Sequence, residues 1–157
     1  MKYLLIIFLC VTIFYTAQIN AKVIHVKDGD TVVVLLEDNI QKTLRLAEVD
    51  CPESGQPFGK NAKEFTSTQI FGKQITFIAT DEDRYGRTIA KIYYENKYLS
   101  EEIIRAGFGW WYYQYSKDKN LGILQKQAED KKIGLWQDKN AVSPWDYRKQ
   151  QRAVSQF

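Results

Sequence analysis

The stretch KVIHVKDGDTVVVLLEDNIQKTLRLAEVDCPE, residues 22–53, decides the fold. It opens with Val23, Ile24 and Val26 around His25, a strand-forming run. It then reaches Asp28-Gly29-Asp30, a turn in which Gly29 can supply positive φ. TVVVLLE, residues 31–37, is a second strand, Asp38-Asn39 marks a second turn, and QKTLRLAEV, residues 41–49, is a third strand. Short strands joined by tight turns read as an antiparallel meander. Downstream, residues 58–71 predict a helix with Ala62, Phe65 and Ile70 on its apolar face and Gly72 closing it. KQITFIAT (73–80) and RTIAKIYY (87–94) are two further strands, separated by DEDRYG (81–86). Five strands interrupted by one helix predict a small closed β-barrel of the OB-fold type.

The rest of the chain reads as helical. Ser100 is placed to cap a short helix, with Glu101 and Glu102 in its first turn and Gly107 after its end. Residues 121–133 predict another helix, stopped by Gly134. Ser143-Pro144-Trp145-Asp146 reads as N-cap, first-turn proline and an acid three residues on, the start of a terminal helix. The expected architecture is α+β: one domain over residues 22–157, with helices packed on the barrel and residues 137–157 as a C-terminal extension. Residues 3–19 are almost wholly apolar, follow Lys2 and precede Asn20-Ala21. That is the pattern of a signal peptide over residues 1–21, with an uncleaved membrane anchor through residues 3–19 as the alternative. The expected location is accordingly secreted or periplasmic, or membrane-anchored on the alternative.

Elimination narrows the chemistry. The 157 residues include one histidine and two cysteines and carry a net charge of +3. His25 lies inside the first strand, where a structural role is expected. Once the leader is set aside Cys51 is the remaining cysteine, which leaves no intramolecular disulfide and no zinc site of the usual kind. No Walker A sequence and no dinucleotide-binding glycine fingerprint is present. A hydrolase built from this chain must therefore work with carboxylates and arginines. The positive charge permits an anionic partner without demanding one.

Asp30 follows the first turn and Asp50 ends the third strand. A barrel can bring such positions to one rim, where two carboxylates and backbone carbonyls would suit a hard cation, Ca²⁺ or Mg²⁺. Taken singly, each reads as a turn-capping aspartate. DEDRYG starts like an EF-hand loop, but Tyr85 stands at a ligand position and Ile92 where a bidentate acid is required. Arg45 and Arg87 are guanidinium forks of the kind that bind phosphate, and Glu53 is a spare carboxylate able to activate water. The alternative is a set of surface salt bridges, with Arg45 paired to Glu48 or Asp50. FGWWYYQY, residues 108–115, crowds aromatics together. Core packing is expected for Trp110 and Trp111, whereas Tyr113 and Tyr115 are the better candidates for stacking on a ligand.

DGDT at 28–31, RLAEVDCPE at 45–53, DRYGR at 83–87 and RAGFGWWYYQY at 105–115, in this order, resemble the staphylococcal nuclease (thermonuclease) family. KKIGLW and PWDYRK resemble its exported bacterial branch. The resemblance implies a five-stranded OB barrel with three main helices. It implies a calcium-dependent endonuclease that cuts DNA and RNA, preferably single-stranded or unstructured, to 3′-phosphate and 5′-hydroxyl ends. It also implies a monomer with no obligate protein partner. One Ca²⁺ would be held by Asp30, Asp50 and the backbone carbonyl of Cys51. Arg45 and Arg87 would clamp the scissile phosphate, and Glu53 would be the general base. Arg84 and Tyr85 would contact the terminal phosphate region, and Tyr113 and Tyr115 would line the base and phosphate pocket.

The chain departs from the family pattern in three places. Cys51 stands where threonine or alanine is usual, and the flanking acids are expected to raise its pKa and keep it from acting as a nucleophile. Arg84 stands in place of a lysine, which keeps charge but changes hydrogen-bond geometry. The loop SGQPFGKN, residues 54–61, is shorter than in the staphylococcal protein, which bears on access to the site. Two other functions compete: a non-catalytic OB-type nucleic-acid-binding module, which would not need Glu53 or a metal, and a membrane-anchored envelope protein using the fold for protein contacts.

Overall fold

Alternation builds the barrel. In β2 (Thr31–Leu35) and β3 (Gln41–Leu46), Val32, Val34, Leu44 and Leu46 point inward and are buried, as a period-two strand requires. The computed structural model describes residues 17–155, so the leader expected over residues 1–21 lies, up to Thr16, outside the described residues. β1 (Gln18–Val26) buries Ala21, Val23 and Val26, and a register shift between Val23 and His25 absorbs the break in alternation. β5 (Gln74–Glu82) adds Ile75 and Phe77, and β6 (Thr88–Tyr94) adds Ala90, Ile92 and Tyr94. Each fully buried Val, Leu, Ile or Phe contributes about 1.5–3 kcal/mol relative to exposure.

The strand order is β3-β2-β1-β5-β6, and β3 then pairs in parallel with β6 through Leu44↔Thr88, Arg45↔Ile89 and Leu46↔Ala90. This closes the five-stranded barrel expected from the sequence and removes its open edges. Within the barrel, two pieces of the sequence reading change. β1 begins at Gln18 and pairs with β5 from Gln18↔Ile78 to Lys22↔Gln74, so barrel structure extends into the last residues of the expected leader. Gly29 does not take a positive φ. Its role is close approach: a Cβ there would lie 2.7 Å from Cys51 Cβ and 2.8 Å from Ala62 Cβ.

α1 (Gly59–Ile70) lays Ala62, Thr66 and Ile70 on the barrel, and Gly72 at φ 75° ends it. A short pair, β7 (Lys97–Tyr98), leads into α2 (Leu99–Arg105). Ser100 does not cap α2; it lies within the helix, and its hydroxyl donates 2.8 Å to the carbonyl of Ala47. α3 (Lys119–Asp130) starts two residues earlier than expected because the Asp118 carboxylate accepts from the Asn120 N–H. α4 (Pro144–Val154) is capped by Ser143 as the sequence indicates. Three longer helices and one short one thus surround the barrel. Among the described residues, no helix is long and apolar enough to cross a membrane.

Candidate active site

The three acids that follow Arg45 go three ways. Glu48, at φ 69°, turns the chain from β3 into β4 (Val49–Asp50), which pairs with β8 (Trp110–Trp111). The Glu48 carboxylate is engaged internally by Lys91 at 3.0 Å, the Tyr98 hydroxyl at 2.9 Å and the Ser116 hydroxyl at 3.2 Å, a structural network. Asp50 is fully buried where β4 meets β8. Glu53 lies beyond Pro52 on a tight turn, closed by Gln56 N–H donating 2.9 Å to the Glu53 carbonyl. Gly59 makes that turn possible, since a Cβ there would fall 1.9 Å from the same carbonyl oxygen.

Arg45 binds two acids at once. It alternates with inward-facing Leu44 and Leu46, so its side chain leaves on the other face of β3. One terminal nitrogen lies 2.7 Å from Asp30 Oδ2, and the other lies 2.7 Å from Asp50 Oδ1. The first also donates 3.2 Å to the carbonyl of Val49. Asp30 is held by its neighbours as well: its Oδ2 accepts the Cys51 N–H at 2.6 Å, and its Oδ1 accepts the Thr31 hydroxyl at 3.3 Å. The pairing Thr31↔Arg45 and the Leu46 N–H on the Asp30 carbonyl at 2.8 Å fix these strand ends side by side. α1 pins the turn from behind through the Thr66 hydroxyl, which donates 2.6 Å to the Gly29 carbonyl.

Electrostatics follow from this burial. Desolvation pushes the Asp30 carboxyl up to about 8, with the nearby charges of Asp28 and Asp50 adding to it and Arg45 and the Cys51 N–H opposing it. Burial works against the charge of Arg45, but Asp30 and Asp50 outweigh it and hold its pKa above the usual arginine value. Burial, reinforced by Asp30, pushes the Cys51 thiol well up, so it is not a nucleophile at neutral pH.

The remaining expected site residues surround this centre. Arg87 Nε lies 2.7 Å from Asp83 Oδ2, and one of its terminal nitrogens is 3.5 Å from the Thr31 hydroxyl, one bond short of Asp30. Hydrogen bonds from Arg87 and the Tyr85 N–H, set against a desolvation penalty, hold Asp83 below its ordinary pKa and keep it a carboxylate that aims the guanidinium. Arg84 and Tyr85 are exposed on the same turn and meet each other, nitrogen to hydroxyl, at 2.8 Å. The Arg87 guanidinium also lies 5.6 Å from the centre of the Tyr85 ring. Tyr113 and Tyr115 are exposed, as the sequence reading expects, while Trp110 and Trp111 are half-buried.

Sequence reasoning missed a third arginine. Arg148 of α4 donates 2.7 Å to Asp50 Oδ2 and 2.7 Å to Glu53 Oε1, joining the metal-ligand candidate to the base candidate. Trp145, one turn earlier, packs against Tyr112 in a near-parallel stack at 5.5 Å and edge-on to Tyr113 at 6.0 Å. The spacing of Trp145 and Arg148 put both on one helical face. Nothing local says that this face returns to the strand end nearly a hundred residues earlier.

Residues 43–138 match the family model described as staphylococcal nuclease homologue. The chain belongs to the staphylococcal nuclease family. It is 35% identical over 154 residues to a Haemophilus influenzae protein named uncharacterized endonuclease, covering 98% of this chain and 86% of that protein. It is 32% identical over 144 residues to a Shigella flexneri micrococcal nuclease, covering 85% of this chain and 82% of that one. A plant relative, the staphylococcal-like nuclease CAN1 of Arabidopsis thaliana, is 36% identical over 109 residues, 69% of this chain and 34% of its own length. The matched family segment includes Arg45, Asp50, Glu53 and Arg87; Asp30 and α4 lie outside it.

The donor set fits a hard divalent cation. Among the described residues, no group of three or more His, Cys, Asp or Glu side chains is placed to hold a metal. An ion here would rest on two carboxylates and be completed by carbonyls and water, as oxygen-ligated Ca²⁺ allows. The raised Asp30 pKa is the matching observation: a buried carboxyl whose charge is under-compensated by protein is one that an added cation would favour.

Proposed function

We propose that this protein is a calcium-dependent endonuclease that hydrolyses phosphodiester bonds in DNA and RNA to 3′-phosphate and 5′-hydroxyl ends. The observation that carries this reading is Arg45 bridging buried Asp30 and Asp50, with Glu53 and Arg87 on the same rim. The nuclease names of its relatives agree with it. Asp30, Asp50 and the Cys51 carbonyl would hold one Ca²⁺. When bound, the ion would polarise a phosphoryl oxygen and offset its charge. Arg45 and Arg87 grip the phosphoryl oxygens and stabilise the charge that builds on them. Glu53 takes the proton of the attacking water, whose oxygen bonds to phosphorus as the bond from phosphorus to the 5′-oxygen breaks, and the 5′-oxygen takes up a proton from solvent to leave as a hydroxyl.

Arg84 and Tyr85 flank the phosphate side, and Tyr113 and Tyr115 offer exposed faces for bases. Such stacking favours single-stranded or unstructured substrate. The protein acts as a monomer outside the cytoplasm, secreted or periplasmic, after loss of its apolar leader. The test is cleavage of heat-denatured DNA with calcium and with a chelator, with end-group analysis, beside Glu53→Gln. The expected result is calcium-dependent cutting to 3′-phosphate ends, slowed about 10²- to 10⁴-fold in the variant. Strand binding without cleavage by the folded protein would instead identify a binding module.

A further inference from the structure

We propose that Arg148 is a tethered cation that competes with the divalent metal for Asp50 and Glu53, and so sets the metal affinity of the free enzyme. The inference rests on the calcium reading above and goes beyond it, because Arg148 lies outside the family-matched segment.

Three observations support it. First, the guanidinium occupies the acids with good geometry: one nitrogen on Asp50 Oδ2 and the other on Glu53 Oε1, each at 2.7 Å. With Arg45 on Asp50 Oδ1 at 2.7 Å, both oxygens of Asp50 are taken by arginine. Second, α4 has anchors besides Arg148. It is held by Trp145 against Tyr112 and Trp110, by the Tyr147 hydroxyl on the Gly55 carbonyl at 3.1 Å, and by Gln56 on the Val142 carbonyl at 2.6 Å. Third, the Asp50 side chain is 1% exposed and that of Arg148 is 36% exposed. Arg148 is therefore the group an incoming ion meets on the way to Asp50.

The charges make the competition physical. With Asp30 ionised, the form an added cation favours, Asp30, Asp50 and Glu53 bring three negative charges, and Arg45 and Arg148 return two positive ones. A divalent ion placed among them with Arg148 still docked leaves the cluster net positive and puts two cations on one carboxylate. With Arg148 swung out, the cluster and the ion are neutral. Its long side chain can make that move without shifting the helix, and the freed guanidinium stays at the rim where a phosphodiester would arrive.

Calcium binding without nucleic acid, followed by titration calorimetry on the full mature protein, tests this. Arg148→Gln keeps bulk and removes charge, and Arg148→Lys keeps the charge with a single donor point. Folding of each is checked by circular dichroism. The expected result is calcium affinity about five- to tenfold tighter in Arg148→Gln, with Arg148→Lys near the wild type, as loss of one partly exposed ion-pair competitor implies. Equal or weaker binding in a folded Arg148→Gln, beside a wild type that binds calcium, overturns the competition and leaves the nuclease reading intact. Absence of calcium binding in all three folded proteins overturns both.

Discussion

Replacing Asp30 with asparagine should stabilise the metal-free protein while disabling it. The Asp30 carboxyl is buried and its pKa rises from 3.8 to about 8. A group whose folded pKa lies above its unfolded value binds a proton more tightly in the native state. Its contribution is fully present below about pH 4 and is lost as pH rises through about 8. In that window the metal-free wild type loses stability through this one group as pH rises. Asparagine keeps an oxygen for the Cys51 N–H and removes the buried charge, but it gives up the ion pair with Arg45 at 2.7 Å. Removing one partner of a buried pair is destabilising when it strands the other charge, but Arg45 keeps Asp50 at 2.7 Å, so this change resembles the replacement of buried ionic groups by neutral ones, which is often neutral or stabilising by about 1–4 kcal/mol. The expectation is a gain of that order at pH 8 that shrinks toward pH 4. Urea unfolding in chelator at pH 4.5, 6, 7 and 8 measures it, with nuclease assay at pH 8 as the second readout. If Asp30→Asn is less stable than wild type at pH 8, or if its advantage does not grow with pH, the desolvation argument is wrong.

Gly29→Ala puts a Cβ 2.7 Å from Cys51 Cβ and 2.8 Å from Ala62 Cβ, so denaturant unfolding should show a loss of about 1–3 kcal/mol. Activity should fall with it, since the displaced turn carries Asp30. A chain starting at Gln18 should melt higher than one starting at Lys22, because the latter loses the β1–β5 pairs from Gln18↔Ile78 to Ala21↔Ile75 and the buried Ala21 side chain. Equal melting temperatures would show that those first residues add nothing to the barrel.

The sequence made the barrel legible because its signals are local. Val32 and Val34 alternate, Leu44 and Leu46 alternate, and Asp38-Asn39 turns the chain, with Asn39 at φ 63° as a tight turn asks. The rim acids were legible for a different reason: charge concentrated at a strand end is unusual wherever the strand only has to fold. What local signals could not separate was the fate of each acid. Glu48 and Asp50 stand two residues apart, yet one is consumed by Lys91, Tyr98 and Ser116 and the other by two arginines. The positive φ at Glu48 and the pairing of β4 with β8 decide this, and both depend on chain far away in sequence. Gly29 shows the same limit. A glycine in a turn reads as a φ requirement, whereas its contacts with Cys51 and Ala62 exist only once α1 has docked.

The structure shows Arg45 in salt bridges with Asp30 and Asp50, and the proposed phosphate clamp would be a second use of that same geometry. A guanidinium fixed by two buried carboxylates is pre-organised: its side-chain entropy is already spent when a ligand arrives, and no partner has to move to aim it. The same acids that aim Arg45 are the ones that suit a cation, and the raised pKa of Asp30 marks the cost of keeping them together without one. The barrel supplies that cost from its largely apolar interior, where Leu44 and Leu46 on either side of Arg45 leave it a single direction in which to point. A site that is destabilising when empty of its ligand and relieved when filled should couple binding to stability. For this reason the asparagine substitution at Asp30 should move stability and activity in opposite directions, which a purely structural salt bridge would not do.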